Sequence, residues 1–296
     1  MTSPTAPAPR LPPALALLGG VFAISTGAIF ARLAEAPALV IAAYRVGLAS
    51  LILLPIVWWR ARAELCQLRW RDLRLMSLSG LFLALHFATW ITSLDYTSVA
   101  SSVVLVNTNP LWVGLLTPFI RHDHLHRLTI CGIGLSVLGG ILIGFSDVAE
   151  DRQTLWGDGL ALLGGMCAAL YLLLGRRLRR QLSLLVYITV CYGSAAVLLW
   201  LLVLALRLPV TAFTPHTYTA FLAMAIIPQL IGHSSYNWAL RWFSPSLIAI
   251  SLLGEPLGSA VLAYLIFGEG VTWLKAAGGA VILLAIYLAA RGEMRR

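Results

Sequence analysis

AISLLGEPLGSAVLAYLIF, Ala249–Phe267, decides how the rest of the chain is read. Nineteen residues are long enough to cross roughly 30 Å of hydrocarbon as a helix, and all but a few are apolar. Yet Glu255 and the helix-breaking Pro256 sit in the middle. An acid at that depth is tolerated only where it faces protein or water. The segment therefore belongs to a bundle with a polar interior.

Working outward, similar apolar runs recur along all 296 residues. The chain is 59% hydrophobic and 11% charged, with mean hydropathy +0.87, too little charge to cover a soluble surface. The fold class is an all-α polytopic membrane protein; barrel strands would be about ten residues long and alternate strictly. Ten spans are expected, near 13–33, 37–59, 73–94, 97–119, 126–146, 155–176, 181–206, 217–240, 244–267 and 271–291. Residues 1–12 are Pro-rich and read as a disordered cytoplasmic N-terminus, and 292–296 as a cytoplasmic tail. A cleavable signal peptide fits the local pattern of the first span, but that span has a repeat partner later in the chain.

The formal net charge of +9 is distributed as a topology signal. With both termini cytoplasmic, sixteen basic residues face the inner side and four the outer: Arg32, Arg152, Arg207 and Lys275. This follows the positive-inside rule and places the chain in a cell membrane, a bacterial inner membrane being the expected one. Lipid attraction accounts for the basic loops, so nucleic acid is not an expected partner. The expected partners are the lipid bilayer and a small-molecule substrate. A monomer is a sufficient unit, and an oligomer stays open.

An internal repeat organises the spans. ALLGGVFA, Ala16–Ala23, recurs as ALLGGMCA, Ala161–Ala168, and a shift of 146 lays Leu94–Trp112 over the stretch from Leu240. Tyr96 then meets Trp242, Ser98 meets Ser244, and Asn109-Pro110 meets Glu255-Pro256. Five spans per half, an odd number, invert the second repeat (155–291) relative to the first (13–146). Inverted repeats suit alternating access, because two halves can exchange two packings of nearly equal energy.

RVGLA in span two, Asn-Pro in span four, and GEPLGSAVLAYLIFGEGVTWLKAAGGAVILLAIYLA at the end resemble the drug/metabolite transporter superfamily, EamA family. The resemblance covers essentially the whole chain. It implies a ten-helix fold and export of small organic metabolites. Within the superfamily the chain is most similar to YddG-type exporters of aromatic amino acids. The first half departs from the pattern, with Arg121-His122 where Gly268-Glu269 stands in the second; Glu269 is expected to cap an outer loop.

Polar side chains inside spans rank first as site candidates. Gln229, His233, Tyr236 and Asn237 fall at i, i+4, i+7 and i+8 and share a helical face. His86 and Trp90 share another, and Asn107, Asn109 and Trp112 add polar and aromatic groups in span four. Rings would stack on solutes and amides would orient them. Pro110, Glu255 and Pro256 are read as a hinge and gate, the prolines freeing the carbonyls of Val106 and Leu252 and favouring bends. Glu255 could also pair with Arg45. Arg45 lies about eight residues inside span two and could hold a substrate carboxylate, helix-end carbonyls or a protein carboxylate. Tyr44 and Tyr171 read more readily as packing.

The histidine-rich HDHLH, His122–His126, reads as a solvated turn without ligand partners at metal spacing. No phosphate loop, nucleophile elbow or paired-histidine helix occurs. No cofactor, metal or catalytic residue is therefore expected, and the chain is not read as an enzyme. The leading function is export of aromatic and other neutral amino acids around a midplane cavity. The alternatives are a proton-coupled exporter of drugs or organic cations and, distantly, an intramembrane lipid-modifying enzyme.

Overall fold

The computed structural model describes residues 13–121, 127–150, 153–241, 251–252 and 254–294. His122–His126, the ends of the chain and most of the stretch aligned with Ser98–Leu105 lie outside the described residues. Among those described, the chain is all helix. The first span is broken: α1 (Pro13–Ser25) and α2 (Gly27–Leu33) meet at Thr26, whose Oγ1 donates to the Ala23 carbonyl at 2.7 Å. Then follow α3 (Ala38–Cys66), α4 (Trp70–Ser93), α5 (Val99–Val106), α6 (Asn109–Arg121), α7 (Arg127–Glu150), α8 (Thr154–Leu178) and α9 (Leu184–Ala205). The chain continues through α10 (Pro215–Met224), a π-helical segment (Ala225–His233), α11 (Ser234–Ala239), α12 (Gly254–Phe267) and α13 (Trp273–Met294).

Among the described residues six segments are long and apolar enough to cross a membrane: Leu15–Leu33, Ala38–Cys66, Trp70–Ser93, Val99–Leu116, Thr154–Leu178 and Leu184–Ala205. Shorter apolar helices occupy Ile130–Ile143, Gly254–Phe267 and Trp273–Leu288. Large apolar side chains point outward along the bundle, among them Phe22, Leu201 and Leu265, while Trp58, Trp59 and Trp70 lie exposed beside basic residues. In water so much exposed apolar surface would aggregate; in lipid it is the solvated face.

Helices pack as α7 on α13, α4 on α8 and α9, α3 on α9, and α1 on the π segment. Small residues set close crossings. A Cβ on Gly139 would stand 2.8 Å from the Gly278 carbonyl, and one on Gly278 would stand 2.8 Å from the Gly139 carbonyl. Backbones that close leave room only for hydrogen.

Three interruptions gather near one level of the bundle. The α5 helix ends at Val106, and Asn107-Thr108 turn before α6 starts at Asn109. The α12 helix starts at Gly254, and the Glu255 amide donates to the Leu252 carbonyl at 2.9 Å. The expected bends at Asn-Pro and Glu-Pro are thus breaks, and the Leu252 carbonyl is not freed. Each proline stands in the first turn of a new helix, where its missing N–H has no intrahelical partner to lose. Pro228 lies inside the π segment, whose i→i+5 bonds absorb the ring that an α-helix would reject.

Candidate functional site

The breaks surround a buried cavity. Its walls bring together Arg45 from α3, His86 and Trp90 from α4, Asn107 and Asn109 at the α5–α6 break, and Glu255 from α12. His233 and Tyr236 line it from the π segment and α11. Eight expected residues from five separated segments thus converge. The cavity holds about 50 Å³, room for one or two waters and well short of the roughly 300 Å³ at which metabolite pockets begin.

Arg45 is the centre of the electrostatics. It is 1% exposed. Its Nε donates to Gln229 Oε1 at 2.8 Å, and its guanidinium carbon lies 4.0 Å from the centroid of the Phe87 ring and 5.6 Å from that of Trp90. The sequence offered carbonyls or a carboxylate as its structural partner; the partner is an amide and the flat face of a ring. Glu255 faces the same cavity without an ion pair to Arg45, whereas Arg32 and Glu269 do form one elsewhere. The expected Arg45–Glu255 pairing is not made. Asn107, which lines the cavity with Glu255, donates Nδ2 to the Val103 carbonyl at 2.9 Å.

Aromatic and imidazole rings form the remaining wall. His86 stacks parallel to Trp90, with centroids 6.0 Å apart, and lies 6.2 Å from His233. His86 Nδ1 donates to the Gly164 carbonyl at 3.0 Å, which leaves Nε2 as its acceptor nitrogen. His233 meets Phe87 edge to face at 5.3 Å.

Three expected residues fall outside the cavity. Gln229 stands behind the wall holding Arg45, and Asn237 donates to the Tyr171 hydroxyl at 2.6 Å from a buried position. The cause is the π segment: it changes the turn per residue between Gln229 and His233, so positions counted onto one face of a uniform α-helix no longer share it. Trp112 lines a different feature, a lateral groove of about 710 Å³ between α5, α6, α7 and α8. That groove is larger, but its walls are almost wholly apolar, with Leu111, Leu115, Ile133 and Val137 typical. The smaller cavity is the candidate site because the polar and charged groups converge there. Pro110 begins α6, and its side chain lies outside the described residues; Pro256 is buried in the first turn of α12.

Tyr171, expected as packing, lines the cavity with Ile24, Ala168 and Leu172. Gly164, Ala168 and Tyr171 fall at i, i+4 and i+7, and Gly164 meets the His86 turn of α4. A small-residue face that ends in one large ring was the available signal. Tyr44 is packing, stacked on Phe221 at 4.3 Å. Glu269 does cap: Oε2 accepts the Val99 amide at 3.0 Å, and Oε1 lies 3.1 Å from Arg32.

Comparison with known proteins agrees with this geometry. The pattern of the EamA-like transporter family matches residues 11–145 and, a second time, residues 155–291. The chain belongs to the EamA-like transporter family. It is 27% identical over 253 residues to an uncharacterized transporter of Archaeoglobus fulgidus, covering 84% of this chain and 86% of that one. It is 25% identical over 260 residues to YyaM, an uncharacterized transporter of Bacillus subtilis, covering 86% and 84%. A solved crystal structure shares the fold, with TM-score 0.67 over 96% of this chain and 98% of its own, at 19% identity. This EamA-like chain is therefore a membrane transporter whose relatives leave its substrate unspecified.

Proposed function

We propose that this transporter carries small amphipathic metabolites, aromatic and other neutral amino acids first, outward through the central cavity by alternating access. The observation that carries the reading is the convergence of aromatic rings, imidazoles, amides and one pair of opposite charges on a single buried site between broken helices. Rings supply apolar stacking surface, and the fixed polar groups orient a solute within it.

The scaffold is ten spans in two inverted five-helix repeats, 13–146 and 155–291, with both termini cytoplasmic. Its support lies in the packing. Exchanging span n with span n+5 maps α7 on α13, α3 on α9, and α5 on α12 onto themselves. The same exchange turns α4 on α8 into α1 on the π segment and α11. A two-fold axis in the membrane plane accounts for both kinds of pair. The basic loops orient the assembly in a bacterial inner membrane. At about 50 Å³ the cavity is too small for such a solute, so the cycle passes through wider states in which the halves rock around Arg45 and Glu255.

Purified protein in liposomes, offered labelled phenylalanine, tryptophan, leucine and a panel of other metabolites, tests the reading. It expects flux of the aromatic amino acids above protein-free vesicles. Robust movement of an unrelated metabolite with no amino acid flux would overturn the substrate assignment and leave the family membership standing.

A further inference from the structure

Two opposite charges line the cavity without touching each other. Arg45 is 1% exposed and Glu255 is 7% exposed, yet no ion pair joins them among the described residues. A structural ion pair would close that distance, because two buried charges are costly unless each is matched. The Arg45 guanidinium is instead held from behind. Gln229 takes Nε, Phe87 takes one face, and Nη1 is left buried without a hydrogen-bond partner.

The indole nitrogen of Trp90, 3% exposed, is a second orphaned donor. The two side chains pack near each other at Gly27, where an added Cβ would lie 3.7 Å from Arg45 Nη1 and 3.3 Å from the Trp90 ring carbon Cη2. The cavity wall thus holds a pre-oriented guanidinium Nη1 and an indole N–H, each without an acceptor from the protein. The Glu255 carboxyl lines the same cavity, apart from the Arg45 guanidinium. The Tyr236 hydroxyl, from a third residue of the cavity wall, is also buried without a partner.

We propose that the cavity is a zwitterion clamp, in which Arg45 and Trp90 bind a substrate carboxylate and Glu255 binds its ammonium group. This deepens the amino acid reading of the preceding subsection and rests on it. A zwitterion satisfies both charges at once, which a simple cation or a simple anion cannot do. The side chain then points toward the rings of His86, His233 and Tyr236.

Binding of three ligands to the purified full-length protein tests the clamp: phenylalanine, 2-phenylethylamine, which lacks the carboxylate, and 3-phenylpropionate, which lacks the amine. The wild type should prefer phenylalanine to each truncated ligand by about tenfold to a hundredfold, the worth of one or two charge-assisted hydrogen bonds. Arg45→Gln should remove the preference over phenylethylamine and leave phenylethylamine binding unchanged. Glu255→Gln should remove the preference over phenylpropionate and leave phenylpropionate unchanged. Should Arg45→Gln not fold, Trp90→Phe keeps the ring and loses the donor, and it should lower the preference over phenylethylamine severalfold. Equal weakening of all three ligands in these variants, or a wild type that ranks the three alike, overturns the clamp while the amino acid reading stands. A wild type that binds none of the three and no other neutral amino acid overturns both.

Discussion

Replacing Gln229 by leucine is expected to cost about 1.5–3 kcal/mol, the net worth of a hydrogen bond to a charged group. The figure follows from the surroundings of Arg45. Both side chains are buried, Gln229 completely. The Arg45 Nε–H donates to Gln229 Oε1 at 2.8 Å, and Nη1 already lacks a partner. Leucine removes the acceptor without opening a path for water, so a second guanidinium donor becomes orphaned in a dry interior. The Phe87 contact remains, worth about 2 kcal/mol or more when desolvated, and keeps the arginine from being wholly unsupported. Reversible unfolding in mixed micelles measures the cost, with Gln229→Glu as companion. Glutamate keeps an acceptor at the same reach and should recover most of the loss. A change below about 0.5 kcal/mol in Gln229→Leu, the range of inconsequential surface substitutions, would refute the view that Gln229 holds Arg45 in place.

Other perturbations separate packing from function. Gly80→Ala places a Cβ 2.6 Å from the Cys191 carbonyl and 2.7 Å from Ser194 Cβ, so α4 and α9 must part. The expected loss is about 1–3 kcal/mol, and an unchanged melting temperature would contradict it. Glu269→Gln loses the Arg32 pair, partly exposed and worth about 0–1 kcal/mol, but keeps an oxygen for the Val99 amide. Glu269→Leu loses that N-terminal cap as well, about 1 kcal/mol more, and equal stability of the two variants would show the cap to be idle. Tyr236→Ala should change substrate ranking in a flux assay, whereas a variant that leaves ranking intact would place the tyrosine outside the transport path.

The helices were legible because the membrane writes them as long apolar runs; α4, α8 and α9 lie close to their expected limits, while α3 runs on past its expected end to Cys66. Convergence of Arg45, His86, Trp90 and Glu255 was legible too, because polar groups at that depth have few places to face. What escaped the sequence was register. The Asn107-Thr108 break restarts the helical phase, so Trp112 cannot be counted from Asn107 and turns to the lateral groove. Pro228 announces a disturbance in span eight, but not that nine residues adopt π geometry and shift the phase of Gln229 relative to the α-helical turn that carries Tyr236 and Asn237. Arg45 was visible as a deep cation; its amide partner, 184 residues away, was not, since nothing local records which helix lies opposite.

The polar cavity and the lateral groove, both lined by described residues, compete for the solute, and one flux measurement decides between them. Counterflow of labelled phenylalanine into proteoliposomes should be lost in Arg45→Gln and Glu255→Gln, whose side chains face the small polar cavity. It should persist in Trp112→Ala, whose ring lines the larger lateral groove. Counterflow abolished by Trp112→Ala, yet retained in both charge variants, would move the site to the groove and contradict the central claim.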